Sequence, residues 1–184
     1  MISDSVLFDL KLFLECMPSR WLVPPVDIRR FYSLFRIRCF SDSELFEEGM
    51  TKQDIFNTVR NNDGGILYDP SSGIHTVIYN DRCAETRQRF TMAEELMHFI
   101  LYHTRQPGFG VSNPDFDEEV YARFEEEAKT CAGFVLCPPD YYNRHRRMRT
   151  SALAAACGIS EACAARVVDN YGLYGDALNK PLII

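Results

Sequence analysis

The stretch from Arg89 to His103 constrains this chain more than any other part of its sequence. Its apolar residues recur at helical spacing, which predicts an amphipathic helix with one face in the core. Glu94 and His98 are four residues apart, so their side chains leave the same face of that helix. The apolar stripe is formed by Met92, Leu96, Phe99 and Ile100, and it is widened by Met97, Leu101 and Tyr102.

The order Glu-Glu-x-x-His over residues 94–98 differs at one position from His-Glu-x-x-His, a motif that places two zinc-binding imidazoles and a general base on one helix. Such a zinc hydrolase also needs a third ligand from another element. The base takes a proton from the attacking water and later delivers it to the leaving amine. We therefore interpret His98 as a metal ligand, Glu95 as the base and Glu94 as a further candidate ligand.

Glu94 also has an alternative interpretation that involves no metal. Thr91 precedes it by three residues, which is the spacing of a capping box. If the helix begins at Thr91, the Glu94 carboxylate accepts a hydrogen bond from the Thr91 N–H instead of binding an ion.

The remaining ligand is predicted to be Glu127, in a second helix expected from Asp117 to about Leu136. The 29 residues that separate Glu127 from His98 allow the chain to return through a loop and half a helix. Small apolar residues in this segment suit close packing against another helix, namely Ala128, Cys131, Ala132, Val135 and Leu136. The alternative is that Glu127 is one more acid in a solvated run over residues 125–127.

His103 is a weaker candidate ligand. It follows His98 by five residues, which is about 140° around a helix at about 100° per residue, so we do not expect the two rings to chelate one ion.

The rest of the chain predicts an α+β fold, with a small twisted antiparallel sheet backed by helices. Residues 66–68 and 74–79 read as a β-hairpin, and residues 37–40 as another strand. Helices are expected over residues 5–16 and over residues 28–35, the latter with Asp27 near its N-cap, and Thr51 to Asp54 has the form of a capping box.

We assign residues 1–140 to a metallopeptidase-like domain and residues 141–184 to a C-terminal helical segment packed on it. That segment is expected to form two short helices, split at residues 158–160 and ended by Gly172.

Charge and cysteine usage narrow the class of protein. The formal net charge of −6 argues against a nucleic-acid coat or a basic membrane-surface protein. The seven cysteines form no C-x-x-C pair, so reduced thiols in a cytoplasmic protein are favoured over a disulfide framework. No stretch reaches the ~18 apolar residues of a membrane span.

The chain resembles the ImmA/IrrE family of metallopeptidases over roughly residues 25–173. The likeness is strongest at residues 78–80, at residues 89–98 and from Glu127 to Pro138. It implies that His98 and Glu127 are zinc ligands, that Glu95 is the base, and that the substrate is a helix-turn-helix repressor of a bacterium or phage. The chain departs from the family pattern at Glu94, where a histidine is expected, and at Met97, where a small residue is expected.

The departure at Glu94 changes the charge of the site. A divalent ion with two neutral imidazoles and one carboxylate has a net charge of about +1. With Glu94, His98 and Glu127 as ligands, the net charge of ion and ligands is about zero. A less positive site polarises water and carbonyl groups less and shifts preference from zinc toward harder ions such as manganese. We therefore predict weaker zinc binding than in the Glu94→His variant.

Three functions follow, in order of preference. The first is a metal-dependent endopeptidase that cleaves a helix-turn-helix repressor and so regulates transcription. The second is a catalytically impaired relative that binds the repressor as an interaction module. The third, a DNA-binding adaptor, is disfavoured because the segment from Ser160 to Tyr171 sets Arg166 against Glu161 and Asp169.

Overall fold

The structure is a computed structural model, and it describes residues 1–51, 63–107, 109 and 117–182. Helices and strands are numbered in chain order. They are α1 (Asp4–Cys16), α2 (Ile28–Phe35), β1 (Arg38–Ser41), α3 (Asp42–Glu47), β2 (Gly64–Asp69), β3 (Ile74–Tyr79), α4 (Glu85–Ile100), α5 (Glu118–Leu136), α6 (Pro139–His145), α7 (Thr150–Cys157) and α8 (Glu161–Asn179). Short 3-10 helices cover Ser19–Trp21 and His103–Arg105.

A three-stranded sheet lies on one side of α4, with the strand order β1-β3-β2. Strands β2 and β3 form the predicted antiparallel hairpin, and its loop is closed by the Asp69 carboxylate, which accepts hydrogen bonds from the Ser71 backbone N–H and hydroxyl. Strand β1 pairs with β3 in parallel, so the sheet is mixed. The α+β class predicted from the order of the elements is confirmed.

The N-terminal helices form where the sequence predicts them. Helix α1 begins after Ser3, whose hydroxyl accepts from the Val6 N–H, and α2 begins after Asp27, whose carboxylate accepts from the Arg29 N–H. The capping box predicted from Thr51 to Asp54 extends beyond the described residues.

Helix α5 packs along α4. The Asp117 carboxylate caps its N-terminus by accepting from the backbone N–H groups of Glu119 and Val120. The small-residue stripe predicted for this helix is buried at Ala128, Cys131 and Ala132. Close contact between the two helices follows, and it brings acidic side chains of α5 next to the acidic face of α4.

The C-terminal segment departs from the sequence prediction in two ways. Helix α6, which begins with Pro139 in its first turn, was not predicted. Helix α8 continues through Gly172 to Asn179, so the predicted end at Gly172 is wrong. Tertiary contacts hold the helix past this glycine: the Tyr171 hydroxyl donates to the Cys137 carbonyl at 2.7 Å, and the Tyr174 hydroxyl accepts from the Ile2 N–H at 3.0 Å.

Among the described residues, no individual helix combines the length and apolar character needed to cross a bilayer, although the bent pair α7 and α8 meets those two criteria together.

Candidate metal centre

Helix α4 presents the three residues that the sequence singles out. Glu94, Glu95 and His98 are 2%, 6% and 1% exposed, so all three lie inside the protein. The helix begins at Glu85, which puts Thr91 in its interior. The alternative capping-box role of Glu94 is therefore wrong, because a residue in mid-helix does not need a cap for its N–H.

The second carboxylate of the cluster comes from Glu125 on α5. One ligand atom each of Glu94, His98 and Glu125 lie within 4.8 Å of one another. Nε2 of His98 is 3.4 Å from Oε1 of Glu125. Two carboxylates and one imidazole thus converge between the two packed helices.

Glu127 is buried, but the structure does not bring it into this cluster. Its Oε2 atom lies 3.2 Å from Nε2 of His103. Residues 125 and 127 differ by about 200° around a helix, so only one of them can face α4 directly. The proposed ligation by Glu127 stays a prediction, and the geometry favours Glu125 for that position.

His103 meets the other side of the His98 ring. The two Nδ1 atoms are 3.0 Å apart, while Nε2 of His98 is the nitrogen near Glu125. His103 belongs to the 3-10 helix that follows α4 and does not share a helical face with His98. It therefore contacts the nitrogen that does not face the cluster.

Lys129 is the residue of the site that sequence reasoning missed. Its Nζ atom lies 2.7 Å from Oε2 of Glu125 and 3.6 Å from Oε1 of Glu94. Glu125 and Lys129 are four residues apart on α5, and this spacing was the available signal. The ammonium group therefore lies within reach of both carboxylates.

The part of the chain that holds this cluster matches a known protein family. The sequence profile of the IrrE N-terminal-like domain, the peptidase M78 family, matches residues 53–168. The chain belongs to this family. A search of curated proteins gives no match. The match includes all of α4 and α5, and it confirms the resemblance drawn from the sequence. The family is one of metal-dependent peptidases.

In this member of the M78 family, the two cluster carboxylates have opposite electrostatic environments. Burial and the negative charge of Glu125 raise the pKa of Glu94 to about 7, against the smaller opposing effects of Lys129 and Arg87. Burial acts in the same direction on Glu125, but its contacts with His98 and Lys129 outweigh burial and lower its pKa to about 2. Glu125 is therefore the anionic anchor of the cluster, and Glu94 is the carboxylate that gains most from an added cation.

The predicted base, Glu95, lies one residue from Glu94 in a dry environment. Burial raises its pKa well above the ordinary value of 4.5, and the charges of Glu94 and Glu125 raise it further. A hydrogen bond from the Ile66 backbone N–H on β2 opposes this shift. The strand thus holds the Glu95 carboxylate within the electrostatic influence of Glu94 and Glu125, and added positive charge there would favour the ionised form that a base requires.

The donor set fits a divalent cation. Oxygen ligands from two carboxylates and one imidazole nitrogen suit zinc and also harder ions such as manganese. Burial and the charge of Glu125 keep the pKa of Glu94 raised despite the nearby Lys129, so an added cation would stabilise the ionised carboxylate. Glu94, His98 and Glu125 are the residues that would hold the ion.

Proposed function

We propose that this chain is a metal-dependent endopeptidase whose substrate is a helix-turn-helix repressor. The observation that carries the proposal is the convergence of Glu94, His98 and Glu125 next to a buried Glu95. A bound cation would supply polarisation of the scissile carbonyl and of the attacking water.

The chain itself supplies the proton chemistry. Glu95 is held by the Ile66 N–H on one side and follows a cluster residue directly on the helix. In its ionised form it would accept a proton from the attacking water and then donate it to the leaving amine. Phe109 packs near His98, with ring centroids 4.9 Å apart, and this aromatic ring helps to exclude bulk water from the cluster.

The substrate class comes from the family resemblance. Relatives of the ImmA/IrrE type act on helix-turn-helix repressors, and we extend this role to the present chain in the cytoplasm of a bacterium or in phage-infected cells. The seven cysteines, all within the described residues, are free thiols, which supports a reducing compartment.

The composition of the cluster also bears on which metal is used. With two carboxylates and one imidazole, a divalent ion brings the three ligands and itself to a net charge of about zero. We propose zinc or manganese, with a weaker preference for zinc than a site with two histidines would have.

The direct test is cleavage of a candidate repressor by the purified protein loaded with zinc or manganese. The Glu95→Gln variant keeps the size of the side chain and removes the base, so cleavage is expected to fall at least ~100-fold. The matched control is Glu126→Gln, which makes the same change at an exposed position of α5. Equal cleavage by the wild type and the Glu95→Gln variant contradicts the proposal.

A second candidate function is favoured by Lys129. Its ammonium lies across Glu94 and Glu125 and supplies positive charge where the ion would bind. A protein in which this contact persists would bind the repressor without cutting it. Absence of metal in the purified protein, together with a stable and uncleaved complex with the repressor, would support this interaction module over the enzyme.

A further inference from the structure

Four buried or half-buried side chains, from Glu125 in the candidate metal centre to Glu127 outside it, are linked by successive close contacts. Glu125 lies 3.4 Å from Nε2 of His98, Nδ1 of His98 lies 3.0 Å from Nδ1 of His103, and Nε2 of His103 lies 3.2 Å from Glu127. His98, His103 and Glu127 are 1%, 3% and 7% exposed, so solvent does not replace these contacts. The proton positions along this series of contacts decide which nitrogen of His98 can bind an ion.

The number of protons on each imidazole ring limits which of these groups donates a hydrogen bond and which accepts it. A neutral imidazole has one N–H and one bare nitrogen, and an ionised carboxylate only accepts hydrogen bonds. With an ion on Nε2 of His98, the proton of that ring is on Nδ1, so Nδ1 of His103 is bare and accepts it, and Nε2 of His103 donates to Glu127. Without an ion, Nε2 of His98 can instead donate to Glu125, which lies 3.4 Å away.

We propose that Glu127 and His103 are positioning residues that hold His98 in the tautomer with its proton on Nδ1, so that Nε2 is free to bind a metal ion. This inference deepens the proposed metal-dependent function and rests on it. Glu127 would then act on the ion indirectly, through His103 and His98. Metal-binding histidines in proteins generally donate their second ring N–H to a fixed acceptor, and here that acceptor is a second histidine backed by a carboxylate.

The backbone places His103 where this role requires it. Tyr102 has φ of +60°, a left-handed conformation that a tyrosine rarely adopts, and it ends the run of α4. His103 therefore turns back toward His98, whereas a continued helix would separate the two side chains by about 140°. Phe124 stacks on the His103 ring with centroids 4.1 Å apart and planes at 9°, which restricts the orientation of the ring.

The first experiment measures proton positions directly. Nitrogen-15 NMR of the histidine rings separates a protonated from a bare nitrogen, and it is run on the wild-type protein loaded with zinc. We expect the proton of His103 on Nε2, next to Glu127. A neutral His103 ring with its proton on Nδ1 would overturn the proposal, whether or not any variant folds.

The second experiment compares zinc affinity by calorimetry in Glu127→Gln and Glu126→Gln. A glutamine at position 127 lacks the charge that makes Glu127 a strong acceptor, and its amide N–H can donate to Nε2 of His103, which favours the opposite tautomer of both rings. We expect zinc affinity to fall about 10- to 100-fold in Glu127→Gln and to stay at the wild-type level in Glu126→Gln. Unchanged affinity in a folded Glu127→Gln protein would overturn the proposal.

The two experiments separate this inference from the proposed function. If the wild type binds zinc and shows the expected tautomer but cleaves no repressor, the endopeptidase activity fails and the positioning role stands. If the wild type cleaves a repressor while His103 carries its proton on Nδ1, the positioning role fails and the activity stands.

Discussion

At the scale of single residues, Glu94 sets the charge of the candidate metal centre. It replaces the imidazole that a two-histidine site would have, and it lies buried beside Glu125 with Lys129 as its nearest cation. Without an added ion, this carboxylate holds its proton up to about neutral pH, because the pKa of Glu94 is raised to about 7. The stability of the protein should therefore depend on pH through this residue.

We expect the metal-free protein to lose stability between about pH 4.5 and pH 7. The folded-state pKa of Glu94, about 7, is above the ordinary value of 4.5, so the folded state holds more protons in this window and its free energy of unfolding falls as pH rises. The loss is at most ~3 kcal/mol. Thermal unfolding in the presence of a chelator measures it, with Glu94→Gln as the reference that cannot ionise. Parallel pH profiles for the two proteins would show that Glu94 keeps an ordinary pKa.

Lys129 gives a second prediction at this scale. Replacing it with methionine removes the ammonium that lies against both carboxylates, so a divalent ion no longer competes with it. We expect metal affinity to rise about tenfold, or about 1.4 kcal/mol, and the metal-free protein to melt at a lower temperature. Lys129→Arg keeps the charge and serves as the control. Weaker metal binding by Lys129→Met would mean that the lysine supports the site.

At the scale of elements, the packing of α5 between α4 and α8 fixes which side chains reach the site. Gly133 is the point of close approach to α8, since a Cβ atom there would lie 2.9 Å from Cγ2 of Val167. Gly172 in α8 has no atom of another group within 4 Å of such a Cβ. These two glycines lie in similar helices but have opposite surroundings.

We expect Gly133→Ala to destabilise the protein by about 1–3 kcal/mol, because the buried Val167 has to move. Gly172→Ala should stabilise it by up to ~1 kcal/mol, because alanine favours a helix and meets no obstacle. Chemical denaturation of both variants checks the pair. A stabilising Gly133→Ala would show that α5 and α8 have room between them.

Helix periodicity predicted the two cluster residues on α4 but not the one on α5. Glu94 and His98 follow from their spacing of four, which fixes a shared face within one helix. The choice between Glu125 and Glu127 depends on how α5 is rotated about its axis against α4, and a run of three acids contains no signal for that rotation. The spacing of four indicates the contact of Lys129 with Glu125, but its contact with Glu94 joins two helices and follows from no local pattern.

At the scale of the whole molecule, the hairpin and helices α1, α2 and α5 carry strong local signals, and the sequence predicts them well. The parallel pairing of β1 with β3 joins segments far apart in the chain, and local patterns do not encode it. The extension of α8 past Gly172 depends on Tyr171 and Tyr174 reaching Cys137 and Ile2. Long-range contacts therefore account for most of what the sequence alone did not predict.

The central claim is that Glu94, His98 and Glu125 bind one metal ion, and a crystal soaked in manganese or zinc tests it most directly. Anomalous scattering locates the ion without reference to the protein atoms. We expect one peak within about 2.0–2.3 Å of a ligand atom from each of the three residues. Crystals that show no peak at this cluster, with Lys129 still bridging the two carboxylates, would contradict the claim.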